Sequence, residues 1–313
     1  MRAVFVSTIE SDVDSVVGGW NCWNEPAGRV GFDHLKPVDN DRLVREAAAL
    51  RPEVIFYIGS VSEVGFPSIE GLKRLRDIAP SIHICFDACE NEWQPFLLRY
   101  AEAGCFDLQV TIDGTQGAAV DMVTIAPVDP TLYDLPGPPR TIRCGFSGNI
   151  GLTPAVMFRG RPVRRRGYDP RGRLIEPLVH SGLVVMRERD VAGGAASYGD
   201  HVRFMQSCRI IINTSFTGSG LKHHVKQRVF ETAYAGCALL ETAGSPIDTW
   251  LPPACYIPYK DGYEAAMLIQ TLPDDVIDHC AETRAAYVRS RYRPEMIYGE
   301  MLARAGVKCA AYS

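Results

Sequence analysis

Residues 222 to 241 read KHHVKQRVFETAYAGCALLE: a cation-rich approach, a run of small and apolar residues, a glycine, then an apolar segment. Val225, Val229 and Ala233 recur at four-residue spacing, the stripe of a helix that buries one face. Gly236 is placed to end that helix as a left-handed cap, and CALLE enters a strand. A helix that runs through a glycine straight into a buried strand is the repeating unit of a parallel α/β sheet. Lys222, His223, His224, Lys226 and Arg228 crowd the approach, although a helix dipole prefers anions at that end. Lys226 at the helix entrance, beside free backbone N–H groups, marks a place where a phosphate would gain a cation, donors and dipole together. The bland alternative is that Arg228 and Glu231, three apart on one face, form an exposed ion pair worth about 0.2–0.5 kcal/mol, with both histidines in a solvated loop.

The same alternation extends outward in both directions. Upstream, RAVFVST (2–8), VIFYIGS (54–60), IHICFD (82–87) and FDLQVTIDG (106–114) read as strands. They are separated by the helical patterns NDRLVREAAALRP, SIEGLKRLRDIAP and WQPFLLRYAEAG. Residues 9–40, polar and containing Gly and Pro, read as a long loop. A stiff, Pro-rich stretch, APVDPTLYDLPGPPR (126–140), has the composition of a domain boundary. The alternation then restarts with TIRCGFSG, LIEPLVHSG, LVVMRE, YGDHVRFMQSCR, IIINTS, the opening segment and YIPY. From Asp274 the tail is helical and charged, and it breaks at Pro294. The expectation is therefore an α/β protein of two Rossmann-like domains facing across a cleft, over 1–140 and 141–295. A C-terminal helix (296–313) would pack back on the first. Ligands of such folds sit outside the carboxyl ends of the strands.

The length of 313 residues suits two ordinary domains, and a net charge of −4 argues against a chain that binds nucleic acid through its overall charge. The ten cysteines are scattered, with no zinc-ligand spacing, and are expected as reduced, mostly buried thiols. The N-terminus turns polar too soon for a signal peptide, and no apolar run approaches the roughly 20 residues of a membrane helix. A cytoplasmic location is the expectation, and a periplasmic two-lobed receptor is disfavoured.

A second signal is CGFSGNIG (144–151), a strand that ends in a glycine turn where Gly148 and Gly151 would admit a ligand close to the backbone. It is neither GxGxxG nor a Walker loop. Taken with KQRVFETAYAGCALLE, it resembles nucleotide-sugar glycosyltransferases of the GT-B fold, and more narrowly the CgeB-like (spore-maturation-protein-like) group. Members of that group carry a pattern close to F-x-G-[SN]-x-x-G opening the second domain and a later K-x-R-x-F-E…G segment. Lys226, Arg228, Phe230, Glu231 and Gly236 keep that spacing, and YGDHVRFMQSCRIIINTS resembles the helix and Asn-ending strand that precede it. The resemblance covers about residues 120 to 295 and reaches the first domain only through FDACENEW and TIDG.

The resemblance implies a metal-independent transfer of sugar from a nucleoside-diphosphate sugar, with no cofactor. Lys226 and Arg228 would meet the diphosphate or donor sugar, and Glu231 would accept from ribose or sugar hydroxyls. Gly148, Asn149, Gly151 and Asn213 would line the donor site. Asp87 is the first choice for the base that takes the acceptor's proton. Glu90, Asp113, His223 and His224 are rivals, and turn or cap roles are the alternative for each carboxylate. Trp93 would stack on a sugar or belong to the core. FRGRPVRRRGYDPRGR, with seven arginines from Arg159 to Arg173, departs from the family pattern. It reads as a solvated loop or as a contact for an anionic acceptor: a glycan, a polymer, a nucleic acid or a membrane surface. A nucleic-acid-modifying transferase and a non-catalytic sugar-nucleotide binder are the competing functions.

Overall fold

The structure is a computed structural model that describes residues 1–7, 14–31, 39–59, 67–91, 93–115, 117, 119–148, 156–158, 161–163, 169–187, 197–217 and 222–308. The chain divides into two compact units, one of Met1–Asp129 with Tyr292–Ser313 and one of Pro130–Arg291.

The first unit is a wholly parallel sheet built from β1 (Ala3–Ser7), β2 (Gly28–Gly31), β3 (Val54–Ile58), β4 (Ser81–Cys85), β5 (Leu108–Thr111) and β6 (Met122–Val123). The spatial order is β2-β1-β3-β4-β5-β6. Strands β1, β3, β4 and β5 are buried along their whole length, as sheets covered on both faces require. The connecting helices are α1 (Asp14–Asn21), α2 (Asn40–Ala49), α3 (Ile69–Arg76) and α4 (Gln94–Ala103). Asp39 caps α2 and Ser68 caps α3, each side chain accepting from a backbone N–H of the first turn.

The expected loop over residues 9–40 is a correction. It contains α1 and the edge strand β2. DSVVGGWN hides its helix behind two glycines, yet a Cβ on Gly19 would collide with the Pro127 carbonyl. The glycine lets the helix approach the backbone closely. Trp20 then packs edge-on to Phe56 and to Tyr298 of the last helix, and the Tyr298 hydroxyl donates to the Val16 carbonyl. The C-terminal helix thus belongs to the first unit.

The second unit holds β7 (Ile142–Ser147), β10 (Val185–Arg187), β11 (Cys208–Asn213), β12 (Ala238–Thr242) and β13 (Ile257–Tyr259). They form a parallel sheet of order β10-β7-β11-β12-β13. Two short strands, β8 (Val156–Phe158) and β9 (Arg161–Val163), pair antiparallel with each other. Helices α5 (Asp169–His180), α6 (Tyr198–Gln206), α7 (Arg228–Tyr234), α8 (Gly262–Thr271) and α9 (Asp274–Arg291) complete the unit. Pro294 opens the last helix, α10 (Pro294–Arg304), where the sequence places the break. The nine described cysteines are free thiols and eight are buried. No helix among the described residues is long and apolar enough to cross a membrane.

Candidate functional site

In the second sheet the chain lays β10 on one side of β7 and β11 on the other, so the strand order reverses between β7 and β11. Outside the carboxyl ends of the strands at such a reversal, open α/β sheets bind their ligands. Ser147 ends β7, Asn213 ends β11, and Gly148 follows with φ 150. That backbone suits glycine, and a Cβ there would lie 2.5 Å from Nη2 of Arg228. Arg228 opens α7 and stacks over the Phe146 ring at 5.2 Å, and its Nη1 donates to Asn213 Oδ1 at 3.2 Å. The side chain is half-buried. Its Nε is covered and finds no hydrogen-bond partner among the described residues. Desolvation, then the like charge of Arg171, brings the guanidinium down to about 10, against the pull of Glu231 and Glu241. It remains a cation at neutral pH.

The segment before α7 is a strand-like return, not the start of the helix. Phe216 and His223 form an antiparallel bridge, and His224 N–H donates to the Ser215 carbonyl at 2.8 Å. The helix begins at Arg228 and spans seven residues, so its dipole is a weaker anion device than the sequence suggests. The cations are gathered by the return instead. His224 is buried, and its pKa is held far below the usual histidine range by desolvation, then by Lys226, Arg171, Arg228 and His223. Lys226 Nζ touches His224 Nε2. Arg171 is buried and donates to the Phe216 carbonyl at 2.8 Å. Two arginines, a lysine and a neutral histidine thus meet beside the glycine turn.

Glu231 is buried and its partners are not Arg228. Oε1 accepts from the Tyr198 hydroxyl and from Gln227 Nε2, both at 2.8 Å, and Oε2 accepts from His201 Nε2 at 3.1 Å. Burial pushes this carboxyl up, but the charge of His201 and the three donors together bring it below the ordinary range. With His201 Nε2 on the carboxylate, its Nδ1 meets Ser147 Oγ at 2.9 Å. The glycine turn and α7 are thereby tied through α6. The exposed ion pair that spacing alone allowed is not what forms.

Asn213 has no exposed surface and both ends of its amide are engaged within the unit. Asn149 and Gly151 lie outside the described residues, as do Arg159 and Arg164 to Arg166. Of the arginine-rich stretch, Arg171 joins the cationic cluster and Arg173 is exposed. Sequence reasoning missed Ser147, Tyr198, His201 and Glu241. Tyr198 and His201, three apart in YGDHVRF, share a helix face, which was the available signal.

In the first unit, Asp87 follows β4 with φ 56, a left-handed conformation uncommon outside glycine. Asp113 is buried beyond β5. Its Oδ1 accepts from Thr115 N–H at 3.1 Å, whereas Oδ2 has no partner among the described residues. Burial above all, with the nearby Asp87, pushes the Asp113 carboxyl up to about 6. Glu90 is buried in the turn after Asp87, and Trp93 is half-buried at the start of α4.

A family model described as "Glycosyl transferase-like" matches residues 161–303. No curated protein matches the chain. Among solved structures, Anabaena Alr3699/HepE in complex with UDP and glucose is similar with a TM-score of 0.63 at 11% identity, covering 98% of this chain and 99% of that one. An alpha-glucosyltransferase in complex with UDP-glucose and DNA containing an abasic site gives 0.61 at 9%, with the same coverage. An alpha,alpha-trehalose-phosphate synthase (UDP-forming) from Burkholderia vietnamiensis gives 0.55 at 10%, covering 98% and 100%. The fold is that of GT-B glycosyltransferases.

Proposed function

We propose that the protein is a glycosyltransferase that moves a sugar from a nucleoside-diphosphate sugar to an acceptor, with the second unit holding the donor. The observation that carries this reading is the cluster of Arg171, His224, Lys226 and Arg228 at the strand-order reversal, with Arg228 packed against Gly148. Like charges crowded beside bare backbone are an unfavourable arrangement unless an anion completes it. A diphosphate supplies that anion. Breaking the bond from the anomeric carbon to the diphosphate oxygen leaves negative charge on the departing group. Cations fixed there in advance stabilise the transition state more than the ground state. This reading assigns no cofactor and gives the task of a metal to Arg228, Lys226 and Arg171.

Two of the similar solved structures hold UDP or UDP-glucose, which makes UDP the first nucleotide to test. The CgeB-like group is the finer placement that the KQRVFE segment supports. Glu231 would contact ribose or sugar hydroxyls by exchanging one of its present donors. The acceptor's proton is assigned to Asp113 or Asp87, and the unpartnered oxygen of Asp113 favours the former. The absence of a membrane-spanning helix among the described residues accords with a cytoplasmic enzyme.

The six arginines of 159–173 other than Arg171 favour an anionic acceptor. If that acceptor is DNA, binding falls steeply with salt and loses slope when Arg164 to Arg166 are replaced.

The test of the donor reading is thermal stabilisation by UDP, GDP, TDP, ADP, CMP and inorganic phosphate, on wild type and Arg228→Met. One nucleoside diphosphate raises the wild-type Tm and leaves the variant unmoved. No shift at millimolar concentrations of any of them would sink the proposal.

A further inference from the structure

Glu241, near the carboxyl end of β12, is wholly buried and lies in register with Asn213 on β11. Its Oε2 accepts from Asn213 Nδ2 at 2.6 Å. Its Oε1 accepts from Ser215 Oγ at 2.6 Å and from Thr242 Oγ1 at 3.1 Å. Ser245 Oγ in turn donates to Ser215 Oγ at 3.0 Å. The distances to Asn213 and Ser215 are those of charge-assisted bonds. A carboxylate only accepts, so the Asn213 amide is compelled to turn its NH2 inward and its Oδ1 outward. That outward oxygen is what Arg228 Nη1 reaches at 3.2 Å. The backbone at Asn213 is fixed as well, because the Tyr259 hydroxyl donates to its carbonyl at 2.6 Å.

We infer that Glu241 is a positioning residue: through the Asn213 amide it fixes the guanidinium of Arg228 at the place where the donor diphosphate binds. The inference rests on the donor-site reading given above. Nothing in the chain Glu241–Asn213–Arg228 requires Glu241 to touch a ligand. Its effect is on where the cation points and how little it must reorganise on binding. A buried carboxyl with burial pushing its pKa up is a costly way to secure a strand end. Three polar neighbours that donate to it, with Ser245 supporting one of them, are the compensation.

The geometry supplies its own control. In Glu241→Gln the Ser215 and Thr242 hydroxyls hold the amide oxygen, so the NH2 turns toward the Asn213 NH2, and that amide flips and presents a donor to Arg228. Asn213→Asp combined with Glu241→Gln restores every pairing. The introduced amide donates to the introduced carboxylate, which also accepts from Arg228, and the Ser215 bond is kept.

UDP affinity is measured calorimetrically on wild type, Arg228→Lys, Glu241→Gln and the double exchange. In parallel, the Arg228 side-chain resonance is recorded in isotope-labelled arginine spectra, assigned by its loss in Arg228→Lys. Glu241→Gln weakens UDP by about ten- to a hundredfold, the range seen when an outer-shell partner of a metal ligand is lost. It also shifts or broadens the Arg228 resonance. The double exchange restores both, and it provides the test should the single variant fail to fold. A Glu241→Gln protein with wild-type UDP affinity and an unmoved Arg228 resonance overturns the inference. So does a folded double exchange that recovers neither. If wild type itself does not bind UDP, the donor reading fails on that arm, and the resonances alone decide whether Glu241 orients Arg228.

Discussion

The guanidinium of Arg228 stands where a side chain on Gly148 would have to go, with Nη2 only 2.5 Å from that missing Cβ. The turn after β7 and the start of α7 are thus fitted to one another, and the fit depends on the absence of an atom.

Gly148→Ala tests this fit directly. The new methyl group meets a backbone with φ 150 and a guanidinium that cannot move without losing Asn213. Backbone strain of this kind costs about 1–3 kcal/mol. The variant is expected to melt earlier, and UDP is expected to raise its Tm far less than it raises that of wild type. Calorimetric melts with and without UDP measure both. An unchanged UDP shift would mean that the ligand does not use this turn.

Arg228→Met separates stability from binding. Among the described residues Arg228 has one hydrogen-bond partner, the neutral Asn213 amide, and the like charge of Arg171 lies beside it. Replacing such a cation with an apolar chain of similar length is often neutral or stabilising. The ligand-free Tm should hold or rise, while turnover falls about 100- to 1000-fold, the range for loss of one charge-stabilising donor. A melt that collapses together with the activity would assign Arg228 a structural role.

The α/β alternation was legible because each strand is a short apolar run and each helix carries its own stop. CALLE, VIFYI and the glycine at 104 show this plainly. Helix α1 was not legible, since its two glycines imitate a loop, and only the packing of Gly18 against Asp129 and of Gly19 against Pro127 explains them. At the site, Arg228 and Gly148 could be read from local pattern. Their mutual contact could not, because 80 residues separate them in sequence and the sheet brings them together. The partners of Glu231 were hidden for the same reason. Tyr198 and His201 lie on another helix, and nothing in YGDHVRF names a carboxylate to receive them.

The Glu231 pKa lies below the ordinary carboxylate value, so its charged form stabilises the fold. That contribution is complete above the unfolded-state value of about 4.3 and disappears as pH falls through the lower folded value. Glu231→Gln sets an amide against His201 and loses charged hydrogen bonds worth about 1–3 kcal/mol each. Its Tm deficit against wild type should be full at pH 7 and shrink in acid below about pH 4. A deficit independent of pH would show that the loss is one of shape, not charge.

Asp113 carries the opposite sign. Its folded value is raised to about 6, so the native state holds the proton more tightly than the unfolded chain, whose value is about 3.9. The stability this provides is complete below the unfolded value and is lost as pH rises through about 6. Asp113→Asn should therefore melt higher than wild type at pH 8, with the advantage gone near pH 4. A base must be unprotonated to act, so the slow transfer of sugar from UDP-glucose to water should fall off below about pH 6 in wild type. The variant should lack that limb and run about 100- to 10,000-fold slower. If the acid limb survives in Asp113→Asn, another group takes the proton, and Asp87 becomes the residue to replace. The stability effect and the rate effect are then separable, because the first follows from burial and the second requires the unpartnered oxygen to face the reacting hydroxyl.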